Sequence, residues 1–358
     1  MLKIVLLLIL VLGIAAIPII NPKYQNFNSL KVPGVKELDG PYFKPLEPDL
    51  NKIFGEDHTW TATLSAERVR TIIATGDVIP ARSVNYQTTI RNDYKWAFEK
   101  TSSFTNEADL TFINLETPLI KNCLVTEEGM TFCGTDKHIE GLKFAGVDVA
   151  SLGNNHAGNY GKSGVDETTK LLSENGILVT GIKGAVVKEI RGIKFAFLGY
   201  NDISAPQPGV SNFSEEILKQ DIVEARKQAD VVIVTYHWGA EYQQQPDLRQ
   251  TSLGHLTIDL GADLVIGNHP HWVQPVEIYK GKLITYAHGN FIFDQMWSEK
   301  TKQGVLGRYT FYDKTLVDVE YFPIYIKDYG QPSFLEGDKR QEILNEMKEE
   351  SEKLKALN

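Results

Sequence analysis

Strand-like and helix-like segments alternate through the centre of this chain, and this alternation restricts its fold more than any other feature. Short apolar runs rich in β-branched residues predict five strands, over Thr71–Thr75, Leu110–Asn114, Asp148–Leu152, Val231–Tyr236 and Asp263–Ile266. Helical periodicity between them predicts four helices, over Tyr94–Phe104, Gly164–Asn175, Glu215–Ala229 and Leu248–Leu260. Strands that alternate with helices predict an α/β domain whose central strands are largely parallel.

Turn motifs add antiparallel strands to this pattern. Arg191-Gly192 and Lys280-Gly281 each join two apolar runs, which predicts two hairpins. The later segments Val305–Tyr312 and Leu316–Ile326 predict a further antiparallel pair. We therefore expect mixed sheets in a layered sandwich.

The N-terminus carries a membrane-directed segment. Lys3 precedes an apolar run over Ile4–Ile20, which is at the lower length limit of a spanning helix. Ala15-Ala16 is a poor match to a cleavage site, so an uncleaved anchor and a cleaved signal both remain open for residues 1–20. In either case we expect the rest of the chain at the cell membrane, facing outside the cytoplasm.

Composition predicts where the other segments begin and end. Five of the 15 prolines fall before residue 49 in the segment 21–69, which predicts a stalk or linker that Tyr42, Phe43 and Phe54 could pin to the globular part. Residues 70–330 are the predicted α/β domain. Residues 331–358 carry alternating charges and a thin apolar stripe, which predicts an exposed or loosely docked C-terminal helix.

Charge and cysteine usage exclude several classes of protein. Lys and Arg number 37 against 46 Asp and Glu, so the net charge of −9 argues against nucleic acid as a partner. The two cysteines, Cys123 and Cys133, are too few for a disulfide scaffold and wrongly spaced for a zinc knuckle. Export would place them in an oxidising compartment, at the two sides of a predicted hairpin, so we predict a disulfide. Two reduced, buried thiols in a cytosolic chain are the alternative.

Polar clusters follow most of the predicted strands, and five of the eight histidines belong to them. The clusters are Gly76-Asp77 with Arg82, Asn114-Leu115-Glu116, Asn154-Asn155-His156, His237–Glu241, Asn268–His271 and His288-Gly289-Asn290. Any one alone could be a helix cap, a tight turn or a core residue. Because the carboxyl ends of parallel strands meet at one edge of a sheet, the clusters together predict a shared polar or metal site.

Six motifs, in this order between Ile72 and Gln295, resemble those of the CapA-type poly-γ-glutamate capsule biosynthesis proteins, the PGA_cap family. The motifs are Gly76-Asp77 to Arg82, Asn114 to Glu116, Asn154 to His156, His237 to Tyr242, Gly267 to His271 and Gly289 to Gln295. That family is similar in fold to the calcineurin-like metallophosphoesterases, so the resemblance implies a four-layer αββα sandwich of mixed sheets. It also implies a membrane-attached protein that acts, with other membrane-bound capsule proteins, in the synthesis, export or anchoring of anionic poly-γ-glutamate.

The resemblance carries roles over to individual residues. The metal-ligand positions are Asp77, Glu116, Asn155, His237, His269 and His271. His156 matches an acid/base histidine, and Arg82 would offset the charge of an anionic ligand. Carboxylate, amide and imidazole donors together suit a divalent Mn, Zn or Fe ion.

The chain also departs from the related patterns at three places. The phosphoesterase motif Asp-x-His is Asp77-Val78-Ile79 here, so one ligand of the first cation is missing. Asn159 and His288 stand where the family commonly has Asp and Leu. Two functions remain open: a metal-dependent hydrolase or transferase that acts on an amide or phosphate ester of a surface polymer, and a non-catalytic polymer-binding or assembly component with a degenerate site. The number of remaining ligands favours the first, and the missing histidine favours the second.

Overall fold

The computed structural model describes residues 48–55, 57–203 and 205–357. The apolar run Ile4–Ile20 and the side chains of Tyr42 and Phe43 lie outside these ranges, so their predicted roles stay predictions. None of the helices within the described ranges is long and apolar enough to cross a bilayer.

The strands and helices follow one another along the chain in an order that fits an α/β protein. The strands are β1 (Val69–Val78), β2 (Leu110–Leu115), β3 (Leu119–Ile120), β4 (Gly134–Thr135), β5 (Val149–Ser151), β6 (Leu178–Thr180), β7 (Val186–Ile190), β8 (Ile193–Asn201), β9 (Val231–His237), β10 (Leu264–Asn268), β11 (Val276–Tyr279), β12 (Lys282–Thr285), β13 (Asn290–Ile292), β14 (Gln303–Tyr312), β15 (Thr315–Lys327) and β16 (Gln331–Phe334). The helices are α1 (Leu50–Ile53), α2 (Arg82–Arg91), α3 (Ser102–Thr105), α4 (Ile139–Phe144), α5 (Gly161–Glu174), α6 (Glu215–Gln228), α7 (Leu248–Asp259) and α8 (Gly337–Leu357).

Two mixed sheets contain most of the strands. The first has the order β16-β15-β14-β1-β2-β5-β6, and β13 pairs with the end of β1. Its strands β1, β2, β5 and β6 are parallel, whereas β14, β15 and β16 are antiparallel. The second has the order β11-β12-β10-β9-β8-β7, with parallel central strands and an antiparallel strand at each edge. The predicted hairpins at Arg191-Gly192 and Lys280-Gly281 are confirmed as β7-β8 and β11-β12.

The main core lies between the two sheets. Phe112 of the first sheet and Phe197 of the second stack there with their ring centroids 5.9 Å apart. On the outer faces, α4 and α5 cover the first sheet, and α6 and α7 cover the second with buried side chains such as Leu218 and Leu253. The predicted four-layer αββα sandwich of mixed sheets is therefore confirmed.

The helix predicted over Tyr94–Phe104 is wrong. The segment forms a 3-10 turn at Trp96–Phe98 and only the start of the short helix α3. Threonine hydroxyls donate to backbone carbonyls three residues earlier there, Thr101 to Phe98 and Thr105 to Ser102, and such local bonds compete with a continuous helix. Helix α2 was missed because the side chains it buries are largely polar, Ser83, Asn85 and Thr88 among them.

The described end of the predicted stalk packs against the domain instead of standing apart from it. Ile53 joins the core between the sheets, and the ring of Phe54 stacks on Tyr321 at 6.2 Å. The His58 ring lies 2.9 Å from the carboxylate of Asp318, and both side chains are buried. Apolar contacts and a buried ion pair thus fix residues 48–55 and 57–69 to the first sheet.

The C-terminal helix is also not loosely docked, contrary to the sequence-based expectation. Ile343, Leu344 and Met347 of α8 belong to the core between the sheets, and the Ser351 hydroxyl accepts a hydrogen bond from the Val276 backbone at 2.9 Å. A thin apolar stripe is enough to dock α8 firmly, because the helix contacts β11 of one sheet and β15 of the other. The helix closes the side of the sandwich.

Truncating Met347 to alanine is expected to lower the free energy of unfolding by about 2–4 kcal/mol, because it would leave a cavity in the main core. Denaturant unfolding of the purified chain measures this. The exposed neighbour Glu349 provides the matched control, and Glu349→Ala should change the free energy by less than about 0.5 kcal/mol. Equal effects of the two substitutions would contradict the packing of α8.

The predicted disulfide is confirmed, since Cys123 and Cys133 are bonded with their Cα atoms 5.7 Å apart. It closes a loop that contacts helix α2: the Arg82 guanidinium donates to the Gly129 carbonyl at 3.3 Å, and the Ser83 hydroxyl donates to the Glu127 carbonyl at 3.3 Å. The disulfide bond therefore restrains a loop that contacts the start of α2.

Replacing both Cys123 and Cys133 with serine is expected to lower the free energy of unfolding by about 2–3 kcal/mol, because the unfolded chain regains the entropy of an open loop. Unfolding with and without a reductant measures this. Reductant should destabilise the wild type and leave the double variant unchanged. Thiol labelling of both cysteines in the native, unreduced protein would contradict the prediction.

Candidate metal centre

The carboxyl ends of parallel strands from both sheets meet at one edge of the sandwich. Asp77 lies near the end of β1 and Glu116 directly follows β2, whereas His237 ends β9 and His269 follows β10. All four side chains are buried. The structure thus brings together polar residues that are far apart in sequence, as the positions of the clusters predict.

The backbone around Pro270 turns two imidazoles towards the same region. His269 and His271 both have positive φ angles, 99° and 56°. Such angles are uncommon outside glycine and cluster at functional sites. The loop is fixed from outside by a hydrogen bond from the Tyr242 backbone to the Pro270 carbonyl, at 2.8 Å.

The side chains form three overlapping groups that could hold a metal ion. Glu116 belongs to two of them, which are described first, and Glu241 forms the third with His269 and His271. In the first group, His271 Nδ1 lies 3.1 Å from Asp77 Oδ2. In the second, His237 Nε2 lies 3.1 Å from both Glu116 Oε1 and His269 Nδ1. Within each group the ligand atoms all lie within 4.8 Å of one another. A carboxylate shared by two groups is the arrangement expected of a paired metal site.

The electrostatics of Glu116 fit a cation. Its side chain is 0 % exposed, and no described residue donates a hydrogen bond to either carboxylate oxygen. Burial and the nearby charge of Asp77 raise the pKa of Glu116 well above its usual value. The buried Oδ1 atom of Asn155 likewise lacks a donor among the described residues. Buried oxygens are normally paired, so acceptors without donors suit coordination to a cation.

Two of the histidines, His237 and His269, are suited to donate lone pairs to a metal ion. Burial lowers the pKa of His237 to about 3 and, together with the charge of His237, lowers that of His269 well below its usual value. Although burial would lower the pKa of His271, its hydrogen bond to Asp77 raises the value to about 9. A cation that binds at the Asp77 and His271 group would therefore displace a proton.

Asparagines that sequence reasoning left without a role orient the ligand side chains. Asn114 donates to Asp77 Oδ1 at 2.8 Å, and Asn154 donates to Asn114 Oδ1 at 3.0 Å. Asn290 Oδ1 lies 2.9 Å from His271 Nδ1. All three lie in the strand-end clusters, which is the sequence signal that marks them.

His156 has a fixed orientation beside these groups. Its Nδ1 atom lies 2.9 Å from Asn159 Oδ1, which also accepts a hydrogen bond from the Phe132 backbone at 2.7 Å. Because an amide oxygen only accepts, Nδ1 carries the hydrogen and Nε2 keeps a lone pair. Burial lowers the pKa of His156 to about 4, and the Phe132 ring stacks on the imidazole with the centroids 4.0 Å apart. Asn159 thus takes the orienting role that an Asp would have.

Arg82 is placed among the aromatic rings that border the site. Its guanidinium forms an ion pair with Asp294 and lies 4.9 Å from the ring centroids of both Phe132 and Phe293. Phe293 in turn lies 5.4 Å from the ring of His271. Asp294 already neutralises much of the Arg82 charge, although the buried Nε atom has no acceptor among the described residues.

Two other residues from the strand-end clusters belong to the core. Trp238 is fully buried and donates from Nε1 to the Tyr286 carbonyl at 2.9 Å, so it is a core residue. His288 Nε2 lies 2.9 Å from the Tyr309 hydroxyl between the sheets, and His288 is in none of the metal-ligand groups formed by described residues.

Residues 71–295 match the family described as bacterial capsule synthesis protein PGA_cap. The chain belongs to this family. Its membership agrees with the resemblance of the six motifs, and the matched residues include the whole candidate metal centre.

Individual members support the same assignment. The chain is 30% identical over 284 residues to the capsule biosynthesis protein CapA of Bacillus anthracis, an alignment that covers 73% of this chain and 68% of that protein. It is also 30% identical over 295 residues to the PGA biosynthesis protein CapA of Bacillus subtilis, with 77% of each covered. Among solved structures, it is similar to a phosphatase from Mycoplasma pneumoniae, with 16% identity, a TM-score of 0.49, and 74% of this chain and 95% of that chain covered.

Proposed function

We propose that this protein acts at the cell surface in poly-γ-glutamate capsule biosynthesis, as a metal-dependent hydrolase or transferase. The observation that carries the proposal is Glu116, a fully buried carboxylate without hydrogen-bond donors that two metal-ligand groups share. Family membership and the names of the relatives support the biological process. The bond acted on would be an amide or a phosphate ester of the polymer or its precursor.

In this proposal Asp77, Glu116 and His271 hold one divalent cation, and Glu116, Asn155, His237 and His269 hold the second. Mn, Zn and Fe all accept such mixed ligands. A bound cation would lower the pKa of a water molecule and stabilise negative charge on the substrate. The chain's own contribution is to keep the site dry and to hold His156 Nε2 ready to accept or return a proton.

The ligand would be an anionic polymer, recognised in part by Arg82. Its Nε–H group is buried and lacks an acceptor, so it can donate to a carboxylate even while Asp294 occupies the rest of the guanidinium. Residues 1–20 would hold the protein at the membrane, near other membrane-bound capsule proteins, with the domain outside the cytoplasm.

Metal analysis of the full-length chain, purified from membranes in detergent, tests the proposal. The protein is stripped with a chelator, incubated separately with Mn, Zn and Fe, and assayed for bound metal and for changes in the length of poly-γ-glutamate. We expect bound metal and metal-dependent conversion of the polymer. Failure to bind any of the three metals would refute the hydrolytic function, whereas metal binding without conversion would favour a polymer-binding or assembly role.

A further inference from the structure

Glu241 is a partly exposed carboxylate beside the metal centre. It follows β9 by four residues, and its side chain is half-buried, unlike the fully enclosed Asp77 and Glu116. A carboxylate oxygen of Glu241 and ring nitrogens of His269 and His271 lie within 4.8 Å of one another. Glu241 is therefore a less buried carboxylate that lies close to two of the histidines of the metal centre.

The Asp77 group is the one with room for another ligand. It contains three side chains, Asp77, Glu116 and His271. Ile79, which stands where the phosphoesterase motif has a histidine, is fully buried in an apolar cluster and has no donor atom. An additional carboxylate near His271 would supply the donor that Ile79 lacks.

The loop that carries Glu241 is held in a single path. Gly239 has a φ of 80°, and a Cβ atom there would lie 2.4 Å from Gln250 Oε1, so glycine is needed for the turn. Tyr242 also has a positive φ, 60°, and its backbone donates to the Pro270 carbonyl between the two histidines at 2.8 Å. The Glu241 loop and the His269–His271 loop are thus joined directly.

The carboxyl group of Glu241 is oriented by its neighbour. Gln295 Nε2 donates to the Tyr242 hydroxyl at 3.1 Å, which leaves the hydroxyl hydrogen free to be donated. The Tyr242 hydroxyl makes a side-chain hydrogen bond with the Glu241 carboxylate, to which it can only donate when that group is ionised. A ligand oxygen oriented by an outer hydrogen bond is typical of metal sites.

We propose that Glu241 is a metal ligand that completes the Asp77 group from the solvent side and replaces the histidine lost at Ile79. Glu116, whose oxygens accept no hydrogen bond from the described residues, lies within 4.8 Å of His269 and of His271, and Glu241 lies within the same distance of both histidines. The inference rests on the metal centre of the proposed function. It adds a residue that the family motifs did not assign to the metal.

Titration of the chelator-stripped, full-length protein with Mn²⁺, followed by the electron paramagnetic resonance signal of free Mn²⁺, tests this role without an activity assay. For Glu241→Ala we expect the affinity of one Mn²⁺ to fall by at least about tenfold, because a charged ligand is lost. Glu241→Gln should also weaken binding, since a neutral amide oxygen replaces a carboxylate. The exposed Gln243 in the same loop is the matched control, and Gln243→Ala should bind as the wild type does.

The possible outcomes distinguish the role of Glu241 as a ligand from the existence of the metal centre. Weakened binding in both Glu241 variants supports the proposal, whereas weakening in the alanine variant alone indicates a disturbed loop and overturns it. Titrations of both variants that coincide with the wild type overturn the role of Glu241 and leave the metal centre standing. A wild-type protein that binds no Mn²⁺, Zn²⁺ or Fe²⁺ overturns both.

Discussion

Replacing His271 with alanine is expected to remove the divalent cation of the Asp77 group, so that the metal content falls by about one ion per chain, while the αββα fold stays intact. His271 is the only imidazole in the group with Asp77 and Glu116. Loss of a direct ligand should weaken metal binding by more than the roughly 10–100-fold cost of losing an outer contact. Metal content after dialysis and the circular dichroism spectrum measure the two parts of the prediction.

The matched control for this substitution is His255, which lies on α7 and pairs with Glu277 instead of with the metal-ligand groups. His255→Ala should keep the full metal content. If His271→Ala also keeps it, His271 is not a ligand. If the His271 variant loses metal yet cells that carry it make normal amounts of polymer, the polymer-binding role is favoured over catalysis.

The edge of the fold that carries the site was predictable because of a simple geometric rule. Parallel strands of one sheet end at the same edge, so Asp77 and Glu116 of the first sheet had to approach one another, as did His237 and His269 of the second. Short, strongly apolar runs made these strands easy to recognise. The sequence pattern therefore identified both the α/β class and the site region.

What sequence reasoning missed depends on tertiary contacts. The apolar stripe of α8 is too thin to indicate burial, yet the helix closes the sandwich because it meets a strand from each sheet. Glu241 is close to His269 and His271 only because Gly239 turns the chain and Tyr242 ties it to Pro270. The hydrophobic periodicity of a single segment cannot indicate that two loops distant in sequence are in contact.

The metal ligands and the acid/base residue His156 have different partners in the site. His271 and Asp77 form an ion pair that a cation would replace, and the Glu116 oxygens accept no hydrogen bond from the described residues. His156 instead has its own partner in Asn159 and appears in none of the metal-ligand groups of the described chain. A substitution at His156 should therefore act on catalysis and leave metal binding alone.

His156→Ala is accordingly expected to lower the turnover of the metal-loaded protein by about 10²–10⁴-fold, the usual contribution of a positioned acid/base group. Asn159 Oδ1 holds Nδ1–H, so Nε2 is the atom that would move the proton, and burial keeps it unprotonated at neutral pH. The rate of polymer conversion at saturating metal is the measurement. Bound metal should equal that of the wild type, in contrast to the His271 variant. An unchanged rate would show that His156 takes no part in catalysis. A loss of bound metal together with the loss of rate would show that it is a metal ligand instead.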